Sequence, residues 1–434
     1  MTLVQIWLIV SVVGLALVFS GSRRNAPPPS LQGADWLIFA APFAAIAIPS
    51  IGTFFSVNTS LIPLSGDGLV VALAVPIILT AFGGLLLAAG RFRLTLPAAS
   101  LSLLCALGAV SGASTGRGTA QPLIGIALAI GVSVFPGRPN GLQALARGAR
   151  AAVISIPIAL LVLIALSPST IGICRADKCS VLTGAVLAIG DSGNIIGLFL
   201  LALVPLAAWG LSPIRLVFFA AFLMVQFDLA AARSAMIGLA LCLATLLIAA
   251  TSRPLRPRGA RLAWLPTLIA LALSLIPVFG DFDPSAYTTR GALWNRAHEL
   301  IADSPIVGHG PSYWSAQTST SELIPNYSPH NIWLEIAVSL GILGVIAVVL
   351  ALVATLFSFP PESRAIAWSY IAAILGAGML EATFTPYRLT VLMSSLPVFL
   401  VLLASTQLRA RDADLFSNTA TLVRAQASRR GGTA

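Results

Sequence analysis

The chain has 434 residues, of which 57% are hydrophobic and only 9% charged, with a formal net charge of +10. A soluble domain carries about 25% charged residues, so most of this chain must be solvated by lipid, and an ordinary soluble enzyme is excluded. The positive charge does not describe a nucleic-acid surface either, because no loop interleaves a basic stripe with aromatic residues; it fits anionic lipid headgroups and membrane topology.

Apolar runs of roughly 17–25 residues, long enough to cross a ~30 Å hydrocarbon layer as helices, recur about thirteen times. They lie near 4–20, 36–53, 68–90, 96–112, 120–136, 151–167, 195–211, 215–231, 235–250, 262–280, 331–357, 365–381 and 388–405. The expected fold class is therefore all-α: a polytopic membrane helix bundle of about 12–13 spans. The first run lacks a basic leader and a small-residue cleavage site, so it reads as a retained span rather than a signal peptide. The segment VLTGAVLAIG at 181–190 is too short to span and reads as re-entrant or surface-bound. Four units follow: an N-terminal transmembrane bundle at 1–280, a large extracytoplasmic loop at 281–330, C-terminal helices at 331–405, and a polar, disordered tail at 406–434.

Orientation comes from the basic residues, which collect in cytoplasmic loops. If the spans alternate, 18 of the 25 basic residues fall on one side, the tail among them. The C-terminus is then cytoplasmic, and the loop 281–330 faces the periplasm. Cys105 and Cys242 sit inside apolar runs and read as core, whereas Cys174 and Cys179 bracket RADK in a polar loop. A bridge closing so short a ring would stabilise by roughly 2 kcal/mol, and only in an oxidising compartment. Their C-x4-C spacing lacks a second ligand pair, which argues against zinc.

No internal repeat is visible, which weighs against a transporter built from symmetric halves. The asymmetry is concentrated in the loop 281–330, which carries all three histidines. Within it, apolar residues at 293, 294, 297, 300 and 301 mark one face of a helix, with Thr288 or Thr289 as the expected cap and Asp303-Ser304-Pro305 as its stop. Arg290 then lies in the first turn, where the helix dipole already favours an anion. It is a candidate for holding phosphate jointly with the helix end; the alternative is snorkelling, or pairing with Asp281 or Asp283. Arg296 and Glu299 form an i, i+3 surface pair.

Upstream, DLAAARSAMIGLA at 228–240 places Arg233 on the extracytoplasmic side, against the charge trend. Either Asp228 holds it or a substrate anion does. His330 and Asn331 precede the longest apolar run. At a helix N-terminus the dipole disfavours imidazolium, leaving the neutral ring that a general base requires; a cap or interface role is the alternative. No His, Asp or Glu cluster has metal-ligand spacing, so neither metal nor cofactor is expected.

Taken together, four stretches resemble the O-antigen ligase and O-antigen polymerase superfamily of bacterial membrane glycosyltransferases. They are GNIIGLFLLALVPLAAW from 193, RSAMIGLAL from 233, RGALWNRAHELIADSPIVGHGPSYW from 290 and PHNIWLEIAVSLGILGVI from 329. The resemblance implies a helical bundle related to the lipid-dependent glycosyltransferases, set in the bacterial inner membrane with its site at the periplasmic face. It implies metal-independent, inverting transfer of a glycan from undecaprenyl pyrophosphate to an acceptor sugar such as lipid A-core. By motif, Arg233 and Arg290 resemble the pyrophosphate-binding arginines and His330 the residue that activates the acceptor hydroxyl, with Asn331 beside it in the substrate site. A growing glycan as acceptor would make the chain a repeat-unit polymerase, and a protein acceptor an O-oligosaccharyltransferase. A lipid-linked glycan flippase is the competing class, and would call for arginine-lined cavities within the spans. The chain departs from the family in an extra N-terminal span and in Ala232, where a glycine or serine is usual.

Overall fold

The computed structural model describes residues 1–20, 35–59, 95–116, 120–133, 135, 138, 140–174, 178–187, 194–252, 262–311, 313–316, 328–361, 363–387 and 401–407. The expected span 68–90, most of 388–405 and the tail beyond 407 lie outside these residues. The described chain is a multi-pass helical membrane protein. In chain order its helices are α1 (Leu3–Ser20), α2 (Asp35–Ser56), α3 (Leu96–Ser114), α4 (Ala120–Ser133) and α5 (Gly141–Leu166). After a small hairpin come α6 (Asn194–Ala207), α7 (Pro213–Leu229), α8 (Arg233–Ser252), α9 (Leu265–Phe279), α10 (Ala286–Asp303), α11 (Ile332–Ser358) and α12 (Arg364–Gly378). Among the described residues six helices are long and apolar enough to cross a membrane: α1, α2, α3, α5, α8 and α11.

The helices approach closely where side chains are small. A Cβ on Gly376 of α12 would lie 3.0 Å from Gly238 Cα of α8, and a Cβ on Gly197 of α6 would lie 2.5 Å from Ala232 Cβ. In lipid no hydrophobic drive pulls helices together, so backbone proximity and the dispersion it permits carry the association. Two contacts give α8 and α12 opposite directions: Gly238 meets Gly376, while Cys242 farther along α8 meets Ser369 farther back in α12. Gly197 on Ala232 and Leu201 on Gly238 make α6 and α8 parallel. The starts of α6 and α8 and the end of α12 therefore share one end of the bundle. Arg150 of α5, whose guanidinium donates to the carbonyls of Ala207 and Trp209, marks the other end.

The stretch beginning at 181 is a surface segment of a kind its composition did not announce. Its residues 185–187 form strand β2 (Ala185–Leu187), antiparallel to β1 (Ile171–Ile173), and Cys174 and Cys179 are bridged beside the turn. Three hydrogen bonds to Asp228 of α7 hold this hairpin down, from Ser180 Oγ at 2.5 Å and from the backbone N–H groups of Val181 and Leu182 at 3.1 Å each.

The expected single span after His330 is instead broken at Gly341, whose φ of 62° and ψ of −161° are open essentially to glycine alone. The segment following α10 fills the break. Ile342 N donates to Pro305 O at 2.9 Å, His309 N to Val338 O at 2.8 Å and Gly310 N to Ser339 O at 3.0 Å. Irregular backbone at membrane depth survives only when protein satisfies it, and here the large loop does so. A Cβ at 341 would lie 2.2 Å from Ile306 O. Gly341→Ala should therefore cost about 2 kcal/mol or more, combining a disallowed backbone with overpacking, and thermal unfolding of the detergent-solubilised protein reads this as a lowered midpoint.

The same loop is anchored by packing. Trp294, Ala297 and Leu300 of α10 join Trp314, Leu334 and Val338 in a second apolar core. Trp294 is fully buried against the edge of Phe282, with ring centroids 4.7 Å apart. The loop is thus a docked element seated on the first turns of α11.

Candidate functional site

Asn331 sets the start of α11. Its side-chain oxygen accepts from Trp333 N and Leu334 N, both at 3.0 Å, which satisfies two of the four orphan donors of the first turn. Its amide donates to Ser274 O at 2.8 Å, Gly378 O at 3.2 Å and Met379 O at 3.3 Å. One buried side chain thereby ties α11 to α9 and to the end of α12. On the other side of His330, Pro329 O accepts from Trp294 Nε1 at 2.8 Å. His330 itself has a left-handed backbone, φ 49°, and is fixed on both flanks.

Arg290 also follows strained backbone. Tyr287, Thr288 and Thr289 have φ of 52°, 61° and 68°, so the right-handed helix begins only at Arg290. Neither threonine caps it; Thr289 Oγ1 donates to its neighbour Thr288 O instead. Each left-handed residue of this kind costs roughly 1–2 kcal/mol, and such strain persists only where packing over-determines it. Asn295 Nδ2 donating to Phe282 O at 3.0 Å, and Ala292 N to Pro284 O at 3.2 Å, provide that constraint.

The group that brings these pieces together is Glu381, three residues beyond α12 and only 7% exposed. Its Oε1 accepts from Arg290 Nη2 at 2.9 Å and from Asn194 Nδ2 at 2.5 Å, and its Oε2 accepts from His330 Nδ1 at 3.0 Å. Burial pushes this carboxyl up, but His330, Arg290 and Asn194 together outweigh burial and hold it below the usual carboxylate range. It is ionised at neutral pH, and a carboxylate only accepts. The Nδ1 of His330 must then carry a proton, which in the neutral ring leaves the lone pair on Nε2.

Of the four sequence-derived candidates, Arg290 and His330 therefore meet through one carboxylate, and Asn331 sits directly beneath as the helix cap. Arg290 does not pair with Asp281 or Asp283, since Asp283 is taken by Ser285. Arg233 does not pair with Asp228, whose oxygens serve the hairpin. It opens α8 just after left-handed Ala231, φ 49°, is exposed, and its guanidinium makes no hydrogen bond or ion pair among the described residues. By the helix directions above it lies at the same end of the bundle as Glu381. Arg296 and Glu299 form the expected exposed pair at 2.6 Å.

Glu381 and Asn194 escaped the sequence reading. The signal was there for Glu381: a carboxylate closing an apolar run, on the side where the unexplained arginines lie. Asn194 is the second residue of one of the resembling stretches, yet an asparagine before an apolar run reads first as a cap. Among the described residues no group of three or more His, Cys, Asp or Glu side chains is arranged to hold a metal ion.

Comparison with known proteins adds one match. Residues 218–349 match the family model described as O-antigen ligase, a stretch that includes Arg233, Arg290, His330 and Asn331 but ends before Glu381. No curated protein matches the chain.

Proposed function

We propose, from the match of residues 218–349 to the O-antigen ligase family model, that the chain transfers a glycan from undecaprenyl pyrophosphate to a sugar hydroxyl of lipid A-core at the periplasmic face of the inner membrane. The observation that carries this reading is the Arg290–Glu381–His330 cluster, which sets a cation suited to a leaving pyrophosphate beside a base suited to an incoming hydroxyl. His330 Nε2 takes the hydroxyl proton as the oxygen attacks the anomeric carbon. The bond from that carbon to the pyrophosphate oxygen breaks, its electron pair leaves with undecaprenyl pyrophosphate, and the configuration inverts. Arg290, with Arg233 at the same end, stabilises the departing charge through charge-assisted contacts of roughly 1.5–3 kcal/mol each. A general base adds typically 10²–10⁴-fold. Two arginines make a resident metal unnecessary for this step.

The test is transfer by the full chain in lipid nanodiscs with undecaprenyl pyrophosphate-linked glycan, lipid A-core and excess chelator. The expected result is glycan on lipid A-core at an undiminished rate. Glycan lengthening on the donor, with none on lipid A-core, would replace the ligase reading by a polymerase, and restoration of a chelated enzyme by Mg²⁺ would overturn the two-arginine account.

A periplasmic site is supported by two features of opposite ends. The Cys174–Cys179 bridge lies in the hairpin held by Asp228, five residues from Arg233, and disulfides persist on the oxidising side. Arg150, on the sequence's cytoplasmic side, lies at the far end. Single cysteines in a background lacking native ones should behave accordingly: Asp303→Cys labelled by an impermeant reagent in intact cells, Pro361→Cys protected. The reverse pattern would place the site in the cytoplasm.

A further inference from the structure

One carboxylate serves two groups that the proposed reaction uses at different moments. Glu381 divides its charge between Arg290 on Oε1 and His330 on Oε2, while Asn194 steadies Oε1. Resting on the transferase reading, we propose that Glu381 is a positioning residue that couples donor binding to base activation: a pyrophosphate engaging Arg290 draws it off Glu381, and the carboxylate is left to His330.

The geometry supports an exchange rather than a simple addition. Arg290 contacts Glu381 through a single nitrogen, Nη2, a one-point contact that a bidentate phosphate competes with favourably. The Asn194 bond reaches the same oxygen, so the carboxylate stays in place when the guanidinium turns away. Its buried charge cannot be left without partners except at a penalty of several kcal/mol, and the donors that remain are the imidazole Nδ1–H and the Asn194 amide. Among the described residues the groups facing this carboxylate are Arg290 from α10, His330 ahead of α11 and neutral Asn194 from α6. α9 carries no Asp, Glu, Lys, Arg or His, and its Ser274 bonds Asn331 rather than the carboxylate; the guanidinium of exposed Arg233 makes no bond to the cluster. The consequence is order. Before donor arrives, Arg290 shares the negative charge that would strengthen the base, so the acceptor hydroxyl is not activated at an empty site.

The test follows the ring of His330 by NMR in the full-length protein, histidine-labelled and held in nanodiscs, with the resonance assigned by His330→Gln. Saturating inorganic pyrophosphate should raise the His330 titration midpoint by about one pH unit in the wild type, the scale of shift a close charge produces. In Glu381→Gln the shift should fall to less than half of that, leaving only the direct effect of the anion. Equal shifts in the two proteins, or no wild-type shift once calorimetry shows pyrophosphate bound, would overturn the coupling. Arg290→Gln gives a second arm without ligand and with Glu381 intact. Its His330 midpoint should already lie near the pyrophosphate-bound wild-type value; a midpoint equal to ligand-free wild type would also overturn the proposal. None of these readings needs turnover, so the coupling and the transfer reaction stand or fall separately.

Discussion

Arg290→Lys should lose roughly 10²-fold in transfer rate while the protein still folds and inserts, the loss typical of removing one preorganised donor from a developing negative charge. Lysine keeps the positive charge and its ammonium reaches as a point donor. What it lacks is the planar fork that grips two phosphate oxygens at once. The cluster itself tolerates the change, because the contact to Glu381 uses only one guanidinium nitrogen at 2.9 Å, a bond a lysine can replace. The measurement is donor consumption at membrane expression matched to wild type, with thermal unfolding as the control for structure. A lysine variant that turns over normally would return Arg290 to an anchoring role, holding α10 to the end of α12.

His330→Ala should separate binding from chemistry. With the imidazole gone, donor binding is expected to stay near wild type, because Arg290 and Arg233 remain. Transfer should fall about 10²-fold or more, the usual range for a lost general base. Loss of the ring also leaves the buried Glu381 with Arg290 and Asn194 as its partners, so a thermal midpoint must accompany the rate. Donor binding measured beside the transfer rate decides the assignment: wild-type turnover in His330→Ala would exclude the ring as the base and leave it a helix-start residue.

The neighbouring Asn331 is held by backbone alone. Asn331 was placed with the substrate by its motif, yet its oxygen and amide are already engaged by five backbone groups. These bonds fix the start of α11 immediately after His330. The docked loop serves the same purpose from the other side, through Trp294 and Pro329.

How much of this was legible beforehand follows from how far each determinant reaches along the chain. Hydrophobic runs and the sidedness of arginines are properties of local composition, because lipid forces backbone groups to pair within a segment and basic residues resist translocation. The sequence by itself thus determined an all-α membrane bundle, the docking face of α10 and the candidacy of Arg233, Arg290 and His330. What it could not determine were pairings between segments. Glu381 meets Asn194 across 187 positions, Arg290 across 91 and His330 across 51, and the apolar periodicity around it carries no trace of those partners. The break at Gly341 was equally hidden, since a glycine inside an apolar run is compatible with a straight helix until another segment supplies partners for the opened backbone. The left-handed turn before Arg290 replaced an ordinary threonine cap for the same reason. Only the tertiary structure decided these features, because each stores a local cost that contacts from distant segments must offset.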